Sequence, residues 1–163
     1  MIRAARHIDA PEIEAMVQEM FIASKYLGRG EISPKVLSET VLGMIAGQGQ
    51  PGPGGSIVSL AEEDGKIIGF MVGMLSRVYF VGNRLEAQDV FLYVRPGSGP
   101  GAVLALIDSY VAWAKANRRV IEIKLSWNDA LPGAKAIAAL YRRKGLSHTG
   151  EIYEMRLDLG EAK

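Results

Sequence analysis

The chain has 163 residues, of which 48% are apolar, so it can fold as one domain, residues 1–163, around a single core. It has no cysteine and only two histidines, which excludes disulfides, a cysteine nucleophile and a histidine-rich metal site. The net charge of +1 gives no bias toward nucleic acid, no apolar run is long enough to span a bilayer, and the first residues are not those of a signal peptide. We therefore expect a cytoplasmic protein without a bound metal, a membrane association or a nucleic-acid partner.

The first half of the chain predicts a strand, two helices and a β-hairpin. Asp9 can cap a helix that has a proline in its first turn and apolar residues at helical spacing, and Ser33-Pro34 begins a second helix by the same logic. Asp64-Gly65 separates two runs of β-forming residues and is a strong hairpin signal. The glycines and prolines of 47–55 predict a loop before the hairpin. The expected elements are a strand at 2–6, a helix at 10–25, a helix from residue 34, and strands at 56–62 and 66–75.

The second half predicts a strand, a glycine-rich loop, and then alternating helices and strands. Val103 and Tyr110 share the apolar face of the helix after the loop, and Gly145 can end the last helix. Gly69 and Gly73 interrupt the second hairpin strand, which predicts a bulge or a close approach of another part of the chain. Because antiparallel hairpins precede a strand–helix–strand crossover, we expect a mixed sheet. The expected elements are strands at 86–94, 120–127 and 152–157, and helices at 101–117 and 134–144.

The junction between the strand that ends at Val94 and the helix that begins near Gly101 carries the strongest functional signal. Its sequence, Arg95-Pro96-Gly97-Ser98-Gly99-Pro100, leaves the backbone nearly free of side chains. The first N–H groups of a helix lack intrahelical acceptors, and the helix dipole adds a partial positive charge there. Such a junction can bind a phosphate or pyrophosphate group. The alternative is a tight strand-to-helix turn that needs glycine for its backbone angles.

A second motif lies near the C-terminus, where Tyr141 precedes Gly145 by four residues in the stretch Ala136-Ile137-Ala138-Ala139-Leu140-Tyr141-Arg142-Arg143-Lys144-Gly145-Leu146. Together with the glycine loop upstream, and with Ile2 to Asp9 as a first strand that runs into a helix, residues 2–157 resemble the GNAT superfamily of acetyl-CoA-dependent N-acetyltransferases. The loop is a degenerate form of the superfamily's pyrophosphate motif. The resemblance implies an α/β fold with a mixed, mostly antiparallel central sheet of six to seven strands, flanked by about four helices.

The resemblance also implies an activity and the residues that perform it. Acetyl-CoA would be the co-substrate, and a small-molecule or peptide amine would attack its thioester directly in a ternary complex. Tyr141 would protonate the leaving thiolate, and Asp89 would accept the proton of the amine, with Glu86 and Glu122 as alternative bases. The helices at the start of the chain would cover the acceptor. The residues expected to bind the cofactor are Leu92, Tyr93, Val94, Arg95, Gly99, Gly101, Ala102 and Val103.

The same resemblance bears on three further points: turnover, assembly and the role of Asn128. The chain could instead be an acyl-CoA-binding module without turnover, acting as a sensor or a structural subunit, because its loop is degenerate and its base is not fixed by a motif. We expect a homodimer, since the apolar strand 152–157 and Trp127 belong to the half of the sheet through which GNAT proteins often pair. Asn128 could touch the cofactor, but capping of the next turn is the favoured interpretation.

Overall fold

The computed structural model describes residues 1–128, 130–131 and 134–155. This part of the chain contains five strands and four α-helices. No helix in it is long and apolar enough to cross a membrane. In chain order the elements are β1 (Ile2–Ala4), α1 (Ala10–Ile22), α2 (Pro34–Ala46), β2 (Ser56–Glu63), β3 (Lys66–Val78), β4 (Val81–Val94), α3 (Pro100–Ala116), β5 (Val120–Lys124) and α4 (Ala134–Arg143).

The five strands form one sheet in the order β1, β2, β3, β4, β5. Neighbouring strands are antiparallel except β4 and β5. These two are parallel because α3 carries the chain back to the end of the sheet at which β4 begins. The mixed, mostly antiparallel sheet expected from the sequence is thereby confirmed, as is the number of helices.

The expected count of six to seven strands is not matched, because the described residues form five. The last expected strand, 152–157, extends beyond the described residues, and its described part belongs to no strand. There Ile152, Tyr153 and Met155 are 84%, 88% and 85% exposed. An alternating pattern shows only that a segment suits a pleated surface, whereas a strand also needs a neighbouring edge with which to pair.

Local signals in the sequence account for the start of α2 and for the hairpin, whereas Asp9 precedes α1 without a capping hydrogen bond from its side chain to that helix. Ser33 caps α2, because its Oγ accepts a hydrogen bond from Val36 N at 3.5 Å, and Pro34 occupies the first helical position. Asp64 and Gly65 join β2 to β3 with φ angles of 48° and 75°. Positive φ at both central residues is what a type I′ hairpin turn requires. The hairpin therefore folds where the sequence predicts it.

The core has two clusters, one on each face of the sheet. Residues 70 and 72 of β3 point to one face and residue 71 to the other, as strand alternation requires. We call the side covered by α1 and α2 the α1–α2 face and the opposite side the α3 face. Buried members of the first cluster include Ile13, Met16, Val41, Ile45, Phe70 and Val72; those of the second include Met71, Leu85, Leu106, Ile107, Tyr110 and Tyr141.

Candidate functional site

The backbone groups of β4 do not keep one regular alternation between the strand's two edges along its whole length. Leu85 N donates to Arg119 O at 2.9 Å, on the β5 side, whereas Arg95 N donates to Ile68 O at 2.8 Å, on the β3 side. Amides alternate between the two edges of a regular strand, so residues separated by an even number of positions should face the same edge. Leu85 and Arg95 break this rule, and an irregularity must lie between them.

The irregularity is a β-bulge at Val90. Val72 of β3 pairs with Phe91, but the next residue, Gly73, pairs with Asp89, so Val90 has no partner in the ladder. One extra residue in a strand reverses the alternation of all the residues that follow it. The bulge therefore places Phe91 on the α1–α2 face and leaves Val90 without a partner residue on β3.

The last residues of β4 have an open edge. The β4–β5 ladder ends where Gln88 pairs with Lys124. Leu92 and Val94 lie opposite Met71 and Gly69 of β3, but their N–H and C=O groups face away from β3 by the alternation set at Arg95. Within the described residues, no strand pairs with this outer edge beyond Gln88. An open edge of this kind can form strand-like hydrogen bonds with an extended ligand.

Side chains bind the main-chain groups of β5, and of the residues after it, at the point where the β4–β5 ladder ends. Tyr110 on α3 donates from its hydroxyl to Lys124 O at 2.9 Å, and Tyr141 on α4 donates to Ser126 O at 3.1 Å. Ser126 N and Ser126 Oγ donate to Asp89 Oδ1 at 2.9 Å and 3.0 Å. These bonds satisfy main-chain groups that a continued ladder would otherwise satisfy. We call this arrangement of Asp89, Tyr110, Lys124, Ser126 and Tyr141 the fork.

The fork contains both residues that the sequence assigned to chemistry. Burial raises the pKa of the Asp89 carboxyl, and its bonds with Ser126 offset this only in part. Burial, with a smaller contribution from the Asp89 charge, raises the pKa of the Tyr141 hydroxyl above its usual range. Asp89 is thus a carboxylate whose proton affinity is increased, and Tyr141 remains a neutral phenol whose hydrogen is donated to the main chain. The structure brings the two residues together through Ser126.

The glycine loop places a helix N-terminus after the open edge. Gly97 has a φ of 87°, a conformation that favours glycine, and Gly99 caps α3 with an extended backbone and no side-chain hydrogen bond. Pro100 has no N–H, and Ala102 N donates to Gly99 O at 3.2 Å. A Cβ atom added at Gly99 or Gly101 would meet no atom within 4 Å. The backbone here borders open space in which an anion can approach the first turn of α3.

The remaining residues expected to bind a cofactor have different surroundings. Ala102 and Val103 of α3 pack their side chains against the core cluster of the α3 face, and Ala102 N already donates to Gly99 O, so neither side chain is available to a ligand. Arg95 does not point at the glycine loop. Its guanidinium binds Glu19 at 2.7 Å and Glu12 at 2.7 Å on α1, and it also donates to Ile67 O at 2.8 Å. Arg95 therefore ties the end of β4 to α1.

The alternative bases lie in an ion-paired group on β4 and β5. Glu86 is buried, forms a salt bridge with Lys124 and accepts a hydrogen bond from Ser76 Oγ at 3.1 Å. Burial raises the pKa of Glu86, but the bonds from Lys124 and Ser76 outweigh it, and the net shift is downward. Glu122 is also paired with Lys124, at 3.3 Å. Its lowered pKa makes Glu86 a weaker proton acceptor than Asp89, and Glu122 is engaged by the same lysine.

Sequence reasoning missed the part that Tyr110 has in the fork. The pattern placed it on the apolar face of α3, and its ring is indeed buried there. A signal was present in Gly73, because a Cβ at this position would lie 2.3 Å from the Tyr110 ring. The close approach expected at this glycine is thereby confirmed.

Asn128 Oδ1 accepts a hydrogen bond from Ala130 N at 2.9 Å, so it caps the next turn, which is the interpretation favoured from the sequence. No group of His, Asp and Glu in the described residues is arranged to hold a metal ion.

Solved structures with the same architecture identify the fold. A predicted acetyltransferase from Clostridium acetobutylicum, solved with acetyl-CoA, is 19% identical with a TM-score of 0.65, over 96% of this chain and 95% of its own. AAC(6')-Iy, solved with the bisubstrate analogue CoA-S-monomethyl-acetylneamine, is 13% identical with a TM-score of 0.70, over 96% and 97%. The chain has the GNAT fold.

The GNAT fold by itself does not fix the activity of this chain. A transcriptional regulator from Bacillus halodurans is equally similar, with 13% identity and a TM-score of 0.69 over 96% of this chain and 99% of its own. No protein-family model matches the chain, and no match to a curated protein was found. The function must therefore be argued from the residues of the fork, the open edge and the glycine loop.

Proposed function

We propose that this chain is an acetyltransferase that moves the acetyl group of acetyl-CoA to a primary amine. The observation that carries the proposal is the fork, which lies where the β4–β5 ladder ends, beside an open strand edge and a glycine-rich helix N-terminus. Two of the solved relatives of this fold contain acetyl-CoA or a CoA analogue. The residues of this chain offer one partner for each part of such a molecule.

The open edge and the loop would bind the co-substrate mainly through the backbone. The first turn of α3, from Gly99 to Val103, offers N–H groups and the positive end of the helix dipole to the pyrophosphate. Leu92 and Val94 offer N–H and C=O groups to the amides of the pantetheine arm. Arg95 is not carried forward as a phosphate ligand, because its guanidinium is bound to Glu12 and Glu19. Binding through the backbone also explains how a loop with few of the usual residues of the pyrophosphate motif could bind a pyrophosphate.

The bulge and the fork would perform the chemistry. The amide of Val90, a residue without a partner in the β3 ladder, can donate to the thioester oxygen as negative charge develops there. The amine nitrogen forms a bond with the thioester carbon, the carbon–sulfur bond breaks, and the sulfur leaves with the electron pair. Asp89 can accept the proton that the amine loses, since its raised pKa strengthens it as a base. Tyr141 can turn its O–H from Ser126 O toward the sulfur and donate to the thiolate.

Titration calorimetry with acetyl-CoA tests the binding half of this proposal. A Cβ at Gly101 meets no atom, so the folded structure should accept both Gly101→Ala and Gly101→Asp. The alanine variant should bind acetyl-CoA within a few-fold of the wild-type chain. The aspartate variant should bind at least about tenfold more weakly, because one carboxylate at the helix N-terminus repels the pyrophosphate. Equal affinities for the two variants would remove the loop from the binding site.

Release of free thiol from acetyl-CoA in the presence of an amine panel tests catalysis. Amine-dependent thiol release supports the acetyltransferase. Acetyl-CoA binding without thiol release for any amine would instead support the non-catalytic acyl-CoA-binding module. The regulator among the solved relatives is the observation that keeps this second candidate open.

We further propose that the chain forms a homodimer through the β5 side of the sheet. Strand β5 is the last strand of the described sheet, and Ile121 and Trp127 near it are 52% and 42% exposed. Apolar side chains beside an uncovered strand edge favour pairing with a second copy. A monomer mass in light scattering at micromolar concentration would contradict this.

A further inference from the structure

We infer that the acceptor is a monoamine with an apolar body, held in a cavity between α1, α2 and the sheet. The inference rests on the proposed function and adds the chemical class of the acceptor. It is carried by the lining of the cavity, by its position against the bulge of β4, and by the pairing of the carboxylates around it.

The cavity lies on the α1–α2 face and has a volume of about 360 Å³. This lies within the usual range for small-molecule sites. If each non-hydrogen atom occupies about the 30 Å³ of a water molecule, the cavity accommodates on the order of ten such atoms. Its walls are mainly aliphatic and aromatic; they include Ile13, Val17, Val36, Leu37, Val41, Met44, Phe70, Val72 and Phe91.

The cavity is adjacent to the position where acyl transfer is proposed. Phe91 lines it and directly follows Val90, whose amide would bind the thioester oxygen. Phe91 packs on the α1–α2 face, so a ligand beside it reaches the bulge from that face. The glycine loop leads into α3, which packs on the other face, where Asp89 also lies beside its ladder partner Gly73 and the Tyr110 ring. An amine in the cavity can therefore meet the thioester without competing for the co-substrate's place, and its proton would pass to Asp89 through a water.

Charge in and around the cavity favours one ammonium group and disfavours several. Glu31 is the single carboxylate among the described lining residues, and it is exposed. The hydroxyls of Ser33 and Thr40 are already bonded to the main chain of Val36. On α1, Glu12 and Glu19 are paired with Arg95. A polycation such as neamine would leave several ammonium groups against apolar walls, which is costly without paired carboxylates.

Steady-state thiol release from acetyl-CoA with four amines tests the inference: ethylamine, hexylamine, 2-phenylethylamine and neamine. Each buried methylene should raise kcat/KM by about fourfold, so hexylamine should exceed ethylamine on the order of 100-fold. Hexylamine and 2-phenylethylamine should both exceed neamine. A preference for neamine, or equal rates for ethylamine and hexylamine, would overturn the inference while leaving acetyl transfer itself intact.

A pair of α2 variants tests whether the preference for hexylamine arises from binding in this cavity. Thr40 lines it, whereas its neighbour Glu39 is exposed and lies outside the lining. Thr40→Phe should fill part of the volume and raise the KM for hexylamine about tenfold or more, with acetyl-CoA affinity unchanged. Glu39→Phe adds the same ring elsewhere on α2 and should leave both values unchanged. An unchanged KM in the Thr40 variant would contradict binding in this cavity.

Nuclear magnetic resonance separates failure of this inference from failure of the proposed function. Hexylamine titrated into the chain without acetyl-CoA should shift the methyl signals of Val72, and Thr40→Phe should abolish the shift. If calorimetry detects no acetyl-CoA binding, the proposed function fails, and this titration still decides whether the cavity takes an apolar amine. If the Val72 signals do not move at millimolar hexylamine, the inference is wrong whatever the outcome with acetyl-CoA.

Discussion

Replacing Asp89 by alanine or by asparagine separates its structural part in the fork from its proposed part as a base. Asp89→Ala removes the acceptor of Ser126 N and Ser126 Oγ. A typical hydrogen bond contributes about 0.5–1.5 kcal/mol, and Ser126 is exposed enough for water to replace part of the loss. We therefore expect a loss of about 1–2 kcal/mol in the free energy of unfolding. For a chain of this size that corresponds to a fall of about 2–8 °C in Tm.

Asp89→Asn keeps an acceptor oxygen in the same place and removes the charge. The pKa of Asp89 is raised by burial, so its ionised form lowers the stability of the folded chain above that pKa. Asparagine removes this penalty along with the stronger charged hydrogen bonds. The two effects oppose each other, so the free energy of unfolding of Asp89→Asn should stay within about 1 kcal/mol of the wild-type value.

Activity assays complete this comparison. If Asp89 is the base, Asp89→Asn should lower kcat/KM by about 10²-fold or more and remove the acidic limb of the pH–rate profile. That limb should lie above the ordinary Asp range in the wild-type enzyme, because the pKa is raised. If Asp89 only holds the fork, Asp89→Asn should retain activity and Asp89→Ala should weaken acetyl-CoA binding. An alanine variant with wild-type Tm and wild-type acetyl-CoA affinity would refute the account of the fork.

Three further substitutions test other contacts. Tyr141→Phe should lower kcat by about 10²-fold with little change in the KM for acetyl-CoA, and unchanged turnover would reduce Tyr141 to a packing residue. Gly73→Ala should cost about 1–3 kcal/mol in chemical denaturation, because its Cβ would lie 2.3 Å from the Tyr110 ring, whereas Gly43→Ala in α2 meets no atom and should not destabilise. Asp9 has a pKa lowered to about 2 by Arg3, so Asp9→Asn should be less stable than the wild-type chain at pH 7, and the gap should shrink as the pH falls from about 4 to 2. A gap in Tm that stays constant over that pH range would contradict the Arg3–Asp9 pairing.

Features that depend on neighbouring residues were predictable from the sequence. The Asp64-Gly65 turn and the Ser33-Pro34 helix start each rest on a few consecutive residues whose backbone preferences suffice. The glycine loop was predictable for the same reason. The mixed sheet followed from the hairpins and the single crossover.

Features that depend on distant partners were not predictable. Val90 begins an uninterrupted apolar run, 90–94, that has no alternation to mark a bulge, so only the pairing with β3 reveals the extra residue. Arg95 is close to the loop in sequence, yet two carboxylates on α1 determine where its guanidinium lies. The cavity depends on how α1 and α2 pack on the sheet, and no short motif encodes that volume.

The bulge at Val90 separates two ways of making β4 regular, and they have opposite consequences for the core. Deleting Val90 would let Phe91 follow Asp89 directly, so the ladder opposite Val72 and Gly73 would become regular and every later residue would keep its face. If the chain kept Val90 but lost the bulge, Phe91 and Tyr93 would move into the layer under α3, and Leu92 and Val94 would enter the layer under α1. We therefore expect the deletion of Val90 to preserve both core layers and to remove the main-chain group that has no partner at the bulge. In the alignment of distant relatives, a one-residue gap placed in β4 away from Val90 would pair residues from opposite sides of the sheet.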